Sequence, residues 1–212
     1  MKFPTLNPAL SPALRARTVA LFACSLLLCA CGSAPIEHYY TLRASQFASG
    51  SHESPVSPEF RLAIASVTLP EAVDRSELVL RSGPNSVMVM ETQRWAESLK
   101  SAIPRAIADD VSQALGGATV AIQSDNASHD ANYLLYIDIT RFDSILNEAV
   151  AIDANWSVRR ASGEQLKAGR TTQRVAVHGA GFEDIVVAHV QALAEISGEI
   201  AAQIKTISSV SK

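Results

Sequence analysis

The chain has 212 residues, 48% of them hydrophobic, three cysteines and a formal net charge of −3. This length suits one domain of ordinary size with a real core. An acidic balance with no basic cluster argues against nucleic-acid binding.

The first 17 residues carry Lys2, Arg15 and Arg17 and no acidic residue. Residues 18–30 then form a run of 13 in which only Thr18, Ser25 and the cysteines depart from apolar character. A membrane span needs about 20 apolar residues, so this run instead fits the apolar core of a secretory signal behind a positive flank. It ends in Leu28-Cys29-Ala30-Cys31, which resembles the lipobox of bacterial lipoprotein signals. In such signals the last cysteine becomes the acylated N-terminus, with a diacylglycerol and an N-acyl chain. Each buried CH₂ contributes about 0.8 kcal/mol, so several chains hold a protein permanently where one holds it only reversibly. The lipobox therefore predicts a signal peptide at 1–30 and a mature domain at 31–212, lipidated on Cys31. Gly32 follows in place of the Asp that favours inner-membrane retention in enterobacteria, which leans toward the outer membrane. The mature chain keeps 15 basic and 21 acidic residues, a net charge of −6. It also keeps one cysteine, occupied as a thioether, so no disulfide or cysteine-based metal site is expected.

Along the mature chain, His38-Tyr39-Tyr40-Thr41-Leu42 reads as a first strand. Residues 44–58, rich in Ser and Pro, read as a flexible loop. Residues 60–69 alternate as a strand, with Phe60, Leu62 and Ile64 on one face, stopped by Pro70. Residues 69–75 form a turn, and 78–81 and 86–90 a hairpin across Gly83-Pro84-Asn85. Residues 92–115 then take a helical period through Trp95, Leu99, Ile103, Ile107, Val111 and Leu115. Thr92 is the expected N-cap and Gly116-Gly117 the stop. Pro104 inside this segment predicts a kink, or a break into two helices. Residues 118–123 and 131–143 read as strands, and 148–160 and 165–178 as a hairpin across 161–164. In that hairpin Val150, Ile152, Ala154, Trp156 and Val158 face one way. Asp153, Asn155, Ser157 and Arg159 face the other, leaving one side of the sheet wet or partner-facing. Residues 182–207 form the last helix, striped by Ile185, His189, Leu193, Ile196, Ile200 and Ile204. The expected fold is α+β: a two-layer sandwich of a mainly antiparallel sheet with both long helices on one face.

No motif for catalysis or metal binding emerges. His38, His52, His129, His178 and His189 are not paired at metal-ligand spacing. His189, on the apolar stripe, reads as a core histidine satisfied by one hydrogen bond. Asp109 and Asp110 read as solvated charges at the edge of a helix face. Trp95 and Trp156 read as core residues. No nucleophile elbow or phosphate loop is present, and Ser209-Val210-Ser211-Lys212 matches Ser-x-x-Lys only by letters. No enzyme activity, metal or cofactor beyond the lipid on Cys31 is expected.

Several residues carry a family resemblance. After the candidate lipidated cysteine come Tyr39-Tyr40-Thr41-Leu42, then Leu69-Pro70 with Asp74-Arg75, then Leu78-Val79-x-Arg81, then Arg94-Trp95-Ala96-Glu97-x-Leu99. In this order they resemble the PqiC-like (YmbA-like) ABC-type transport auxiliary lipoproteins. The resemblance implies a lipid-anchored envelope protein, on the periplasmic face of the outer membrane, that serves an MCE-type lipid transport system. Its partners would be an MCE-domain protein and an inner-membrane transport complex. The resemblance leaves a homo-oligomer open and implies a part in membrane integrity without ATP hydrolysis. Asp74, Arg75, Arg81, Arg94, Trp95 and Glu97 are then candidate partner-contact residues. They read equally as residues that cap a turn or fix a helix start. An envelope-assembly lipoprotein of another class, such as a lipopolysaccharide-export accessory or a cell-wall synthase activator, is the alternative function.

Overall fold

The computed structural model describes residues 35–43 and 60–210, with side chains to 207. Leu28–Cys31, the loop at 44–58, His52 and Lys212 lie outside the described residues. The strands and helices belong to one compact unit that begins at Glu37.

Among the described residues eight strands and two helices follow in order: β1 (His38–Tyr40), β2 (Arg61–Thr68), β3 (Glu77–Gly83), β4 (Ser86–Trp95), α1 (Leu99–Ala114), β5 (Thr119–Ile122), β6 (Tyr133–Ile145), β7 (Ala149–Arg160), β8 (Gln165–Ala176) and α2 (Phe182–Val210). Short 3₁₀ turns at Glu71–Val73 and Asn126–Asp130 punctuate the connections. All eight strands form one sheet.

The long strand β6 organises that sheet. Along one side it pairs antiparallel with β7, which pairs antiparallel with β8. Along the other side its first half pairs parallel with β2, which pairs parallel with β5. Its last residues meet β3, Leu80 opposite Ser144, again in parallel. From there β3 pairs antiparallel with β4, and β4 parallel with β1. The expected sandwich with helices on one face is present, but the sheet is mixed rather than mainly antiparallel. The reason is connectivity: the three antiparallel pairs join consecutive strands through short turns, whereas the four parallel pairs (β1–β4, β2–β5, β2–β6 and β3–β6) join strands separated by other elements, as parallel neighbours must be.

The core lies between the sheet and the two helices. Leu62, Ile64, Leu135, Ile137, Ile139, Val150, Ile152, Ala154 and Val158 are buried on the inner face of the sheet. Against them pack Leu99, Ile103, Ile107 and Val111 of α1 and Ile185, Leu193, Ile196, Ile200 and Ile204 of α2. Trp95 and Trp156 are both core residues. Trp156 faces Gly169 on β8, where an added Cβ would lie 2.5 Å from the indole Cζ2, so the glycine makes room for the ring. The length and apolar character of α2 over Phe182–Ile207 would suffice to cross a membrane, yet more than half of its most apolar stretch is buried in this core.

Three local expectations change. The segment at 92–95 is strand, not helix: β4 runs on to Trp95, paired with β3 on one side and β1 on the other. Strand pairing on two sides overrides the helical spacing, and Ser98, not Thr92, is the N-cap of α1. Pro104 sits within α1, which continues as one helix to Ala114, so of the two readings only the break into two helices falls away. Asp110 is buried, not solvated. The helix stop is as expected: Gly116 (φ 76°) and Gly117 (φ 88°) take left-handed conformations that a side chain resists. Their N–H groups donate to Gln113 and Ser112 carbonyls.

Candidate functional site

The residues singled out by sequence converge on the β1–β4–β3 wing and its junction with α1. Arg94 is the hub. In register it lies opposite Tyr39 of β1 and Glu77 of β3. Its guanidinium donates to the Glu37 carboxylate at 3.0 Å, to Ser76 Oγ at 2.9 Å and to Glu77 at 2.8 Å. The Tyr39 hydroxyl also donates to Glu37. Hydrogen bonds from Tyr39 and then Arg94 hold the Glu37 carboxyl below the ordinary range. The neighbouring Trp95 points the other way, into the core, because successive strand residues alternate faces. Its N–H donates to Ser76 O at 2.7 Å, and the next N–H, of Ala96, donates to Tyr40 O at 2.8 Å. Thus Arg94-Trp95-Ala96 ties three strands together at the point where the sheet hands over to α1.

Asp74 and Glu97 extend this junction. Asp74 closes the 3₁₀ turn and pairs with Lys100 of α1 at 2.5 Å. Glu97 pairs with Arg105, one face further along the helix, at 2.6 Å. Arg75 is exposed, and its charge acts on Glu77. These five motif residues therefore form one contiguous structural joint.

Arg81 belongs to a different cluster, on the outer face of the sheet. It donates to Asp143 Oδ1 at 2.7 Å, while Arg141 Nε donates to Asp143 Oδ2 at 2.7 Å. A bulge between Ile139 and Arg141 in β6 allows this. It shifts the alternation so that Ile139 and Phe142 both face the core, and Arg141 and Asp143 face outward. Burial pushes the Asp143 carboxyl up, but the bonds from Arg81 and Arg141 outweigh it and hold the group below its usual value. Asp153, opposite Arg141 on β7, pairs with Arg170 of β8 at 3.3 Å. These side chains line a shallow hollow of about 550 Å³ with Pro84 and Thr140. Further along the same face Arg159 lies over the Tyr136 ring, 5.0 Å from its centroid. The outer face expected to be wet or partner-facing is accordingly polar and rich in ion pairs. Its chemistry suits recognition of a charged surface.

Sequence reasoning missed Asp143, Arg141 and Glu37. Only the two adjacent polar positions closing the apolar run of β6 hinted at the first pair. Among the histidines, His38, His129 and His178 are exposed. His189 is fully buried, with Nε2 2.8 Å from Ser144 Oγ, its ring stacked on Phe142 and edge-on to Trp95. Burial lowers its pKa to about 3, against a smaller upward pull from Asp143, so the ring is neutral. It is the core histidine with one hydrogen bond that the helix stripe predicted. Among the described residues no three of His, Cys, Asp and Glu gather as a metal-binding set.

Residues 40–201 match the family described as the ABC-type transport auxiliary lipoprotein component. The chain belongs to this family. The auxiliary lipoprotein match begins at Tyr40, the last residue of β1, and ends within α2, so it takes in β2 to β8, α1 and most of α2. Two crystal structures share the fold. One, of an uncharacterized protein, is 18% identical with a TM-score of 0.66 and covers 80% of this chain and 99% of that one. The other, a Xanthomonas campestris protein, is 17% identical with a TM-score of 0.66, covering 82% and 97%. A looser likeness, 12% identical with a TM-score of 0.42 over 70% and 93%, is to the PelC dodecamer of Paraburkholderia phytofirmans. Comparison with curated proteins gives no match. Membership in the auxiliary lipoprotein family assigns the chain an accessory part in envelope transport.

Proposed function

We propose that this chain is a lipid-anchored adaptor of an MCE-type lipid transport system. In this reading Cys31 carries the acyl chains and holds the domain at the periplasmic face of the outer membrane. The domain docks to an MCE-domain protein whose inner-membrane complex supplies the energy, and self-association places several copies around that partner. Its contribution is to membrane integrity, and it catalyses no reaction itself. The observation that carries the reading is the family match over residues 40–201. The lipobox at Leu28–Cys31 supports the anchor, and the ion-paired outer face around Arg81 and Asp143 supports docking to a charged partner surface.

Cys31→Ser tests the anchor. The variant is expected to fold normally and to move from the membrane to the soluble periplasmic fraction. A variant still firmly membrane-bound would remove the lipobox reading.

A further inference from the structure

We infer that the β3–β4 hairpin tip is a second membrane contact, lying in the headgroup layer of the bilayer to which the anchor is attached. This rests on the anchor reading above and adds a surface to it. Behind its polar turn at 82–86 the arm is apolar and uncovered: Val87, Met88 and Val89 are 46%, 52% and 36% exposed. Successive strand residues point to opposite faces, so three exposed in a row means that neither face of this arm is covered. The β6–β7 turn adds Leu146, 40% exposed. It lies at the same end of the sheet, because β6 runs parallel to β3 with Ser144 opposite Leu80. From Leu78 to Met90 the only charged residue is Arg81. Arg81 shares the single carboxylate of Asp143 with Arg141, so this corner keeps an excess of positive charge in a mature chain of net charge −6, which suits an anionic lipid surface.

Strand direction and tether length select the bilayer as occupant. β1 runs parallel to β4, with His38 opposite Gln93, so the chain enters β1 from the side of the hairpin tip. The tip, at Ser86, is seven residues back along β4, about 23 Å at strand rise. Cys31 is seven residues ahead of His38, and seven extended residues reach at most about 25 Å. A lipid on Cys31 can therefore draw the bilayer surface no further from β1 than about the level of the tip. A tether extended toward the membrane would bring the polar turn, and behind it Val87, Met88 and Val89, into the headgroup layer.

The test uses the full chain, processed in cells and reconstituted into vesicles of phosphatidylethanolamine and phosphatidylglycerol. Met88→Cys is labelled with a polarity-sensitive fluorophore. Ser162→Cys, in the β7–β8 turn at the opposite end of the sheet, is the comparison. Wild type measures the anchor, since an acylated Cys31 takes no thiol label and carries the protein with floating vesicles. The expected result is a blue shift at position 88 and loss of roughly half its intensity to nitroxide-bearing lipid, with neither at position 162. Emission at 88 matching that at 162 on floating protein would overturn the hairpin contact and leave the anchor standing. A blue shift at 88 that lipid nitroxides do not quench and that grows with protein density would overturn it in favour of contact between copies. Wild type that takes label and does not float would overturn the anchor and this inference together.

Discussion

The guanidinium of Arg94 lies 3.0 Å from the carboxylate of Glu37, so the residue just ahead of β1 is tied to the end of β4. The same guanidinium holds Glu77, and β1 contributes only three residues to the sheet. Arg94→Ala is therefore expected to free β1 first. Proteolysis between Cys31 and Leu42 should accelerate, with a small fall in the urea midpoint, as for partly exposed ion pairs. Arg94→Lys should restore part of the protection, lacking the forked geometry that reaches two carboxylates. Unchanged proteolysis in Arg94→Ala would show that the Arg94–Glu37 pair does not hold β1 to the sheet.

Asp143 neutralises two arginines that would otherwise face each other. Asp143→Ala should cost about 1–3 kcal/mol in urea unfolding, since it leaves hydrogen-bonded guanidinium groups without their acceptor. Its folded pKa lies below the unfolded value. Its stabilising share is thus fully present above about pH 4 and is lost as pH falls through the lower folded value. Wild type should lose this share under acid, and the alanine variant should show no such loss.

His189 makes a separate pH prediction. Its folded pKa of about 3 lies below the unfolded value near 6.5. Between those values the unfolded chain binds a proton that the folded chain refuses, so stability should fall as pH drops from about 6.5 toward 3. His189→Phe keeps a ring on Phe142 and removes the titration. Its unfolding free energy should change little between pH 6.5 and 5, where that of wild type declines. Parallel slopes for the two proteins would contradict a neutral, buried imidazole.

These residues also mark what the sequence could and could not disclose. The inward set from Val150 to Val158 and the stripe from Ile185 to Ile204 were legible, because strand and helix periods are printed directly in the spacing of apolar residues. The end of β4 was not. Trp95 and Leu99 both point into the core, one from a strand and one from a helix, and four-residue spacing cannot tell these apart. Parallel pairing was hidden because it joins strands far apart in the chain, such as β2 with β5 and β6, a tertiary choice. At the candidate site, the motif residues were visible as letters, but their partners Glu37 and Asp143 were not. The bulge beyond Ile139 decides where Asp143 points, and nothing in the local alternation announces it.

On the proposed function, this domain works at the membrane beside an MCE-domain partner. The most direct measurement is photocrosslinking in cells from probes placed along the outer face, at Thr140 and Arg170, followed by identification of the crosslinked protein. An MCE-domain protein should be captured by the lipidated chain and lost when Cys31→Ser releases the domain from the membrane. Capture of only lipopolysaccharide-export or cell-wall synthesis proteins, with no MCE-domain protein from either probe, would contradict it.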